Sequence, residues 1–273
     1  MIYATPESSA FKAEVLSGKT VFVAGGTSGI NLGIARRFVE LGARAVIVGR
    51  DAEKAERAAR SIGPESECLA RVADVRDYDK VRAVLQDTVS QFGLIDIVIS
   101  GAAGNFVAPG AGMSANGFKA VIDIDLLGTF NVFRASYDLL RKPGASLIAI
   151  SAPQAVHPKT LQVHACAAKA GINQLVRVLA MEWGREGVRV NGISPGPIAG
   201  TEGMARLAPT PEAAAARITR IPLRRYGTVF EVAESAVFLC SDSATYVSGT
   251  ILDCDGGASL GDASDREIEQ GIA

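Results

Sequence analysis

The sequence predicts an α/β protein, a single doubly wound domain in which helices cover both faces of a central parallel sheet. Short runs rich in Val, Ile and Ala alternate to the end of the chain with amphipathic helical stretches. The runs are apolar at nearly every position, as strands buried on both faces must be. The length of 273 residues suits one such domain with a sizeable core.

The elements follow in order. Val21, Phe22 and Val23 make Thr20–Ala24 the first strand, and an amphipathic helix runs from the turn after it to about Leu41. Residues 45–48 form the second strand, and Asp51 caps a charged helix reaching Ser61. Residues 68–73 form the third strand. In Tyr78–Phe92 the residues Val81, Val84, Leu85, Val89 and Phe92 share one helical face, and Gly93 stops the helix. Residues 95–99 are the fourth strand, followed by a long loop rich in Gly and Ala over 101–117. A helix over 118–140, a strand over 146–151, helix Val163–Trp183 and a strand over 188–193 continue the alternation. An insertion at 198–222 then interrupts it; its helical patch at 213–218 makes it a lid candidate. Helix Val229–Cys240 and a strand at 250–252 close the sheet. The organisation is therefore a lead-in at 1–18, one domain at 19–257, and a tail at 258–273.

The net charge of −1 and pI near 6.2 give no reason to expect nucleic acid or an anionic membrane as partner. Cys68, Cys166, Cys240 and Cys254 lack C-x-x-C pairing and metal-like spacing, so no metal site is expected, and they read as small buried residues in a reducing compartment. With no long apolar run and no S-K-L ending, the expected location is the cytoplasm.

The turn after the first strand carries the first chemistry. Gly25 and Gly29 let the backbone approach a phosphate, Thr27 and Ser28 add hydroxyls, and the helix beginning near Ile30 aims free N–H groups at an anion. That is the outline of a nucleotide-diphosphate site in a Rossmann-type fold. Arg50 follows the second strand, where an adenosine ribose lies, and its guanidinium suits a 2′-phosphate, favouring NADP(H) over NAD. Asp74, with Val75 after it, is placed to accept from an adenine amino group, or else to cap the next helix.

The glycine spacing G-x-x-x-G resembles the short-chain dehydrogenase/reductase superfamily, with Asn31 in place of a third glycine. The resemblance extends along the chain in the same order: Gly101-Ala-Ala-Gly104 for N-N-A-G, Pro195-Gly196, and Asp255-Gly-Gly257. It implies cofactor contacts by Ala102, Ala103, Pro195, Gly196, Ile198 and Thr201. The catalytic places depart from that superfamily's usual Tyr-x-x-x-Lys. Lys169 fits the lysine, but Ala165 stands for the tyrosine, Ala152 for the serine, and Asp125 for the asparagine. Alanine has no proton to give, so ordinary carbonyl reduction lacks its acid.

Ala102-Ala-Gly-Asn-Phe106, Leu161-Gln-Val-His-Ala165 and Pro195-Gly-Pro-Ile198 with Gly200-Thr-Glu-Gly203 resemble the 2,4-dienoyl-CoA reductases, most closely the peroxisomal type. This resemblance implies an enoyl thioester substrate and a homotetramer joined through long helices. In such a thioester the proton goes to carbon, and Asp125 is the candidate for organising the water that carries it. Lys169 holds the cofactor. His164 and Asp255 are further catalytic candidates, and Asn105 and Phe106 are expected at the substrate. His157 reads as solvated, Asp123 as a surface or capping residue, and Trp183 as core. A keto reductase with another proton source, such as His164, and an NADP-binding protein without turnover are the alternatives.

Overall fold

The structure is a computed structural model that describes residues 10–208 and 210–263. Seven parallel strands form one sheet in the order β3-β2-β1-β4-β5-β6-β7: β1 Thr20–Ala24, β2 Arg44–Gly49, β3 Cys68–Val72, β4 Ile97–Ser100, β5 Ser146–Ile150, β6 Arg189–Pro195 and β7 Ile251–Cys254. The order reverses between β1 and β4, which opens a crevice at the carboxyl ends of the strands there.

Side-chain alternation builds a core on each face. Val21 and Val23 of β1, with Ile97 and Ile99 of β4, face α1 (Gly29–Glu40), α2 (Ala52–Arg60) and α9 (Val229–Cys240). Phe22, Ala24 and Val98 face α3 (Tyr78–Phe92), α5 (Gly128–Ser136) and α6 (Val163–Trp183). Each strand thus supplies both layers, which is why the sequence shows apolar runs rather than alternation.

The expected bounds of β1, α3, α6 and α9 hold, and Asp51 caps α2 through the Lys54 amide. Gly93 ends α3 at φ 86°, a conformation that favours glycine. The strand expected over 95–99 begins later, because Ile95 makes only an isolated bridge to Leu140. The largest correction concerns the helix expected over 118–140. It is four pieces: α4 Ala115–Val121, a π-helical turn Ile122–Leu127, α5, and a 3₁₀ turn Tyr137–Leu139. In that wide turn the Gly128 N–H reaches back five residues to the Asp123 carbonyl. The insertion carries two short helices, α7 Glu202–Leu207 and α8 Pro211–Ile218, of which only the second was expected. Among the described residues no helix is long and apolar enough to cross a membrane.

Candidate active site

Two cavities meet at the carboxyl ends of β1 to β5. The first, about 380 Å³, runs from Arg50 and Lys54 past Asp74 and Val75 to Gly101, Ala102 and Ala103. Its floor is the β1–α1 turn, including Gly25, Thr27 and Ser28. Ser28 is the N-cap of α1 but makes no side-chain cap bond, and the first turn of α1 holds no acidic residue. Both the hydroxyl and the helix N-terminus are thus left to an anion. Gly25 stands at φ 78°, and a Cβ there would meet the Ala102 amide nitrogen at 2.7 Å, so the turn closes against the β4 loop only with glycine.

Asp74 lies in the wall, held by Arg76, which donates to it from its backbone amide and from its guanidinium. That guanidinium pulls the Asp74 carboxyl from 3.8 down to about 2. Helix capping falls to Asp77, which accepts from the Lys80 amide, and not to Asp74. The loop bearing Val75 is fixed from α5: Asn131 donates to the Val75 carbonyl at 2.9 Å, and a Cβ on Gly128 would meet Val75 Cγ2 at 2.6 Å.

The second cavity, about 310 Å³, is lined by Ala103, Gly104, Asn105, Asp125, Ala165 and Lys169, with Ala152, Gln154, Glu202 and Gly203 completing it. Asp125, 2 % exposed, is its central group. Its Oδ1 accepts from the Gly104 amide at 2.8 Å, and its Oδ2 lies 3.2 Å from Lys169 Nζ. Lys169 Nζ also donates to the Ile150 carbonyl at 3.0 Å. The wide turn aims Asp125 inward, while Asp123, two residues earlier, pairs with Lys119 at the surface. Thr129 Oγ1 holds the turn by donating to the Asp125 carbonyl at 2.7 Å. None of the described lining residues has a hydroxyl or an imidazole. The titratable groups there are Asp125, Lys169 and Glu202.

Other candidates fall outside this cluster. His164 is fully buried against Phe106, ring centroids 4.4 Å apart, and lines neither cavity. Asp255 has both oxygens engaged, by the Gly257 and Ser259 amides at 2.8 Å, and closes a turn. Pro195, Gly196, Ile198 and Thr201 line neither cavity; Thr201 caps α7 and donates to the Ile198 carbonyl at 2.8 Å. Gly29 and Ile30 belong to the start of α1 beside the first cavity without lining it. Asn105 donates to Gln162 at 3.1 Å, and Phe106 is half-exposed above the second cavity's loop. His157 is exposed and Trp183 is core, its ring tilted by 44° against that of Tyr137. Burial pushes the thiols of Cys68 and Cys240 up to about 12, which makes them inert at neutral pH. Sequence reasoning missed Lys54, which the charged helix hid, and Gln162, whose 4 % exposure no local pattern reveals.

A family model described as enoyl-(acyl carrier protein) reductase matches residues 24–259. The chain belongs to this short-chain dehydrogenase/reductase family. It is 41% identical over 265 residues to a peroxisomal 2,4-dienoyl-CoA reductase [(3E)-enoyl-CoA-producing] of Danio rerio, covering 96% of this chain and 88% of the relative. It is 37% identical over 243 residues to a probable 2,4-dienoyl-CoA reductase [(2E)-enoyl-CoA-producing] of Bacillus subtilis, covering 88% and 96%. A short chain dehydrogenase from Bacillus anthracis superposes with a TM-score of 0.80 at 39% identity, over 89% of this chain and 97% of that one. This family member is an oxidoreductase with a nicotinamide cofactor, and both relatives above carry the name of a 2,4-dienoyl-CoA reductase.

The buried ion pair makes a stability test. Lys169→Ala leaves the enclosed Asp125 carboxyl without its partner and held by one amide, so urea denaturation should show a loss of about 3–5 kcal/mol. Removing both partners should restore part of it. A single-variant loss under about 1 kcal/mol would mean the pair is solvated.

Proposed function

We propose that this protein is an NADPH-dependent reductase of 2,4-dienoyl-CoA thioesters that forms a 3-enoyl-CoA. The observation that carries this reading is the second cavity: a buried Asp125–Lys169 pair beside Ala165, with no hydroxyl donor in the described lining. Such a site cannot hand a tyrosine proton to a carbonyl oxygen, but it suits a substrate protonated on carbon through water.

A nicotinamide dinucleotide fits the first cavity. The uncompensated start of α1 and the closed glycine turn suit its pyrophosphate, and Asp74 at the wall suits the adenine. Arg50 and Lys54 at the far end supply positive charge for a 2′-phosphate. When bound, the reduced nicotinamide supplies a hydride. Such a hydride would add at C5 of the dienoyl chain, the π electrons shifting to place a double bond at C3–C4 and charge gathering on the thioester oxygen. The α-carbon then takes a proton, which returns the carbonyl.

The chain's residues serve these steps in distinct ways. Lys169 has three N–H groups, of which Ile150 and Asp125 take two. The third is free to hold the nicotinamide ribose, and the ammonium adds positive charge near the dienolate. Asp125, fixed by Gly104 and Lys169, keeps lone pairs with which to orient the water that delivers the proton. Asn105 and Phe106 lie where the acyl chain would pass over the loop. The same reading includes a homotetramer and a cytoplasmic setting. The exposed Leu127, Phe130 and Met181 on the wide turn, α5 and α6 favour the first, and four free cysteines the second.

The defining experiment follows a 2,4-dienoyl-CoA in the ultraviolet while monitoring NADPH absorbance. We expect both to disappear in equal amounts, with the product double bond at C3–C4 by NMR. A product carrying it at C2–C3 would overturn α-carbon protonation, and absence of turnover would overturn the substrate.

Arg50→Ala should weaken NADPH on the order of 10–100-fold and NADH little, measured by fluorescence titration. Equal losses for both would remove Arg50 as the selector of a 2′-phosphate.

Asp125→Ala should lower kcat by about 10²–10⁴-fold with NADPH affinity nearly kept. Asp125→Asn is the sharper variant, isosteric but without charge. Full activity in Asn would show that the side chain only braces Lys169 and the Gly104 loop.

A further inference from the structure

Asn31 stands in the first turn of α1 where the family fingerprint has glycine, and it is 8 % exposed in the wall of the first cavity. Its Nδ2 donates to the Gly101 carbonyl at 2.8 Å and to the Gly25 carbonyl at 3.3 Å. Both partners are acceptors, so the amide cannot be turned over, and Oδ1 is left buried without a hydrogen-bond partner. A stranded acceptor costs stability, and it is tolerated here at the end of an amide whose other end ties two loops together.

Gly101 is the other half of the arrangement. A Cβ at Gly101 would lie 2.3 Å from Asn31 Oδ1 and 2.4 Å from Nδ2. The Asn31 amide therefore fills the space that any side chain at 101 would need. In the family's usual arrangement glycine stands on the helix and asparagine on the β4 loop. Here the two residue types have changed places, and the amide reaches the Gly101 carbonyl from the helix side.

The tied loops have different ligand duties. Gly25 belongs to the turn under the first cavity, and Gly101 begins the loop whose Ala103 lines both cavities and whose Gly104 amide holds Asp125. Arg50, Lys54 and Asp74 lie at the other end. We propose that Asn31 is a cofactor-positioning residue: its cross-brace to Gly25 and Gly101 fixes the nicotinamide end of the dinucleotide, in exchange with the residue at 101, and leaves the adenosine end alone. The inference rests on the NADP(H) reading above.

The test compares two probes by isothermal calorimetry: NADPH, which spans both ends, and adenosine 2′,5′-bisphosphate, which occupies only the adenosine end. Asn31→Gly should weaken NADPH about tenfold, the worth of a net hydrogen bond, and change the bisphosphate by less than about twofold. Gly101→Ala, which must push the amide aside, should show the same split. The double variant Asn31→Gly with Gly101→Asn should regain NADPH affinity to within about threefold of the parent. Thermal melts check that each variant is folded; should Asn31→Gly unfold, the double variant against Gly101→Asn alone reads the same coupling. Equal weakening of both probes, no weakening of either, or no rescue in the double variant would overturn the inference. If the parent itself fails to bind the bisphosphate, the NADP reading fails instead, and the same split is read with NADH and 5′-AMP.

Discussion

The pairing of Asp125 with Lys169 is the constraint on which the rest of the site depends. It joins four parts of the chain that share no sequence proximity: the wide turn before α5, the loop after β4 through the Gly104 amide, the end of β5 through the Ile150 carbonyl, and the first turns of α6. Two opposite charges this enclosed need hydrogen bonds beyond their mutual attraction. The backbone groups of Gly104 and Ile150 supply one to each, so the ion pair and the shape of the surrounding loops form a single arrangement. The vacant tyrosine place at Ala165 is part of it.

The parallel sheet explains why these groups meet where they do. Every strand delivers its carboxyl end to the same edge, so turns far apart in sequence converge above the β1–β4 crevice. The two cavities share Ala103 and Glu202 as walls. A ligand in one would therefore border a ligand in the other.

Much of this was readable in the sequence, for identifiable reasons. The buried strands wrote apolar runs, and α3 and α6 wrote clean helical periods between firm stop signals. The glycine turn, Arg50, Asp74 and Lys169 lay at strand ends or at fixed spacings. What escaped the sequence depends on side-chain pairing or on residue count. Nothing local shows that Arg76 takes hold of Asp74, or that Asp255 has both its oxygens occupied by nearby amides. The residues after β6 were expected at the cofactor because of the resemblance, whereas here Thr201 is occupied in capping α7 and bonding Ile198. The stretch from 118 to 140 reads as one helix because a wide turn keeps the backbone helical and no proline marks it.

That wide turn has a consequence for how the site is encoded. An α-helix advances by about 100° per residue, so a regular helix through 122–127 would set everything after it at a different azimuth from what is seen. Thr129, which meets Ser100 and the Asp125 carbonyl, and Asn131, which meets Val75, are in phase only because the turn is wide. The alignment of Asp125 with the β3 and β4 loops is thus a matter of counting as much as of chemistry. Substitutions can change what stands at 125, but only an insertion or deletion changes where it points. The side chain at 125 and the direction in which it points are thus set independently, the first by the residue type and the second by the length of the segment.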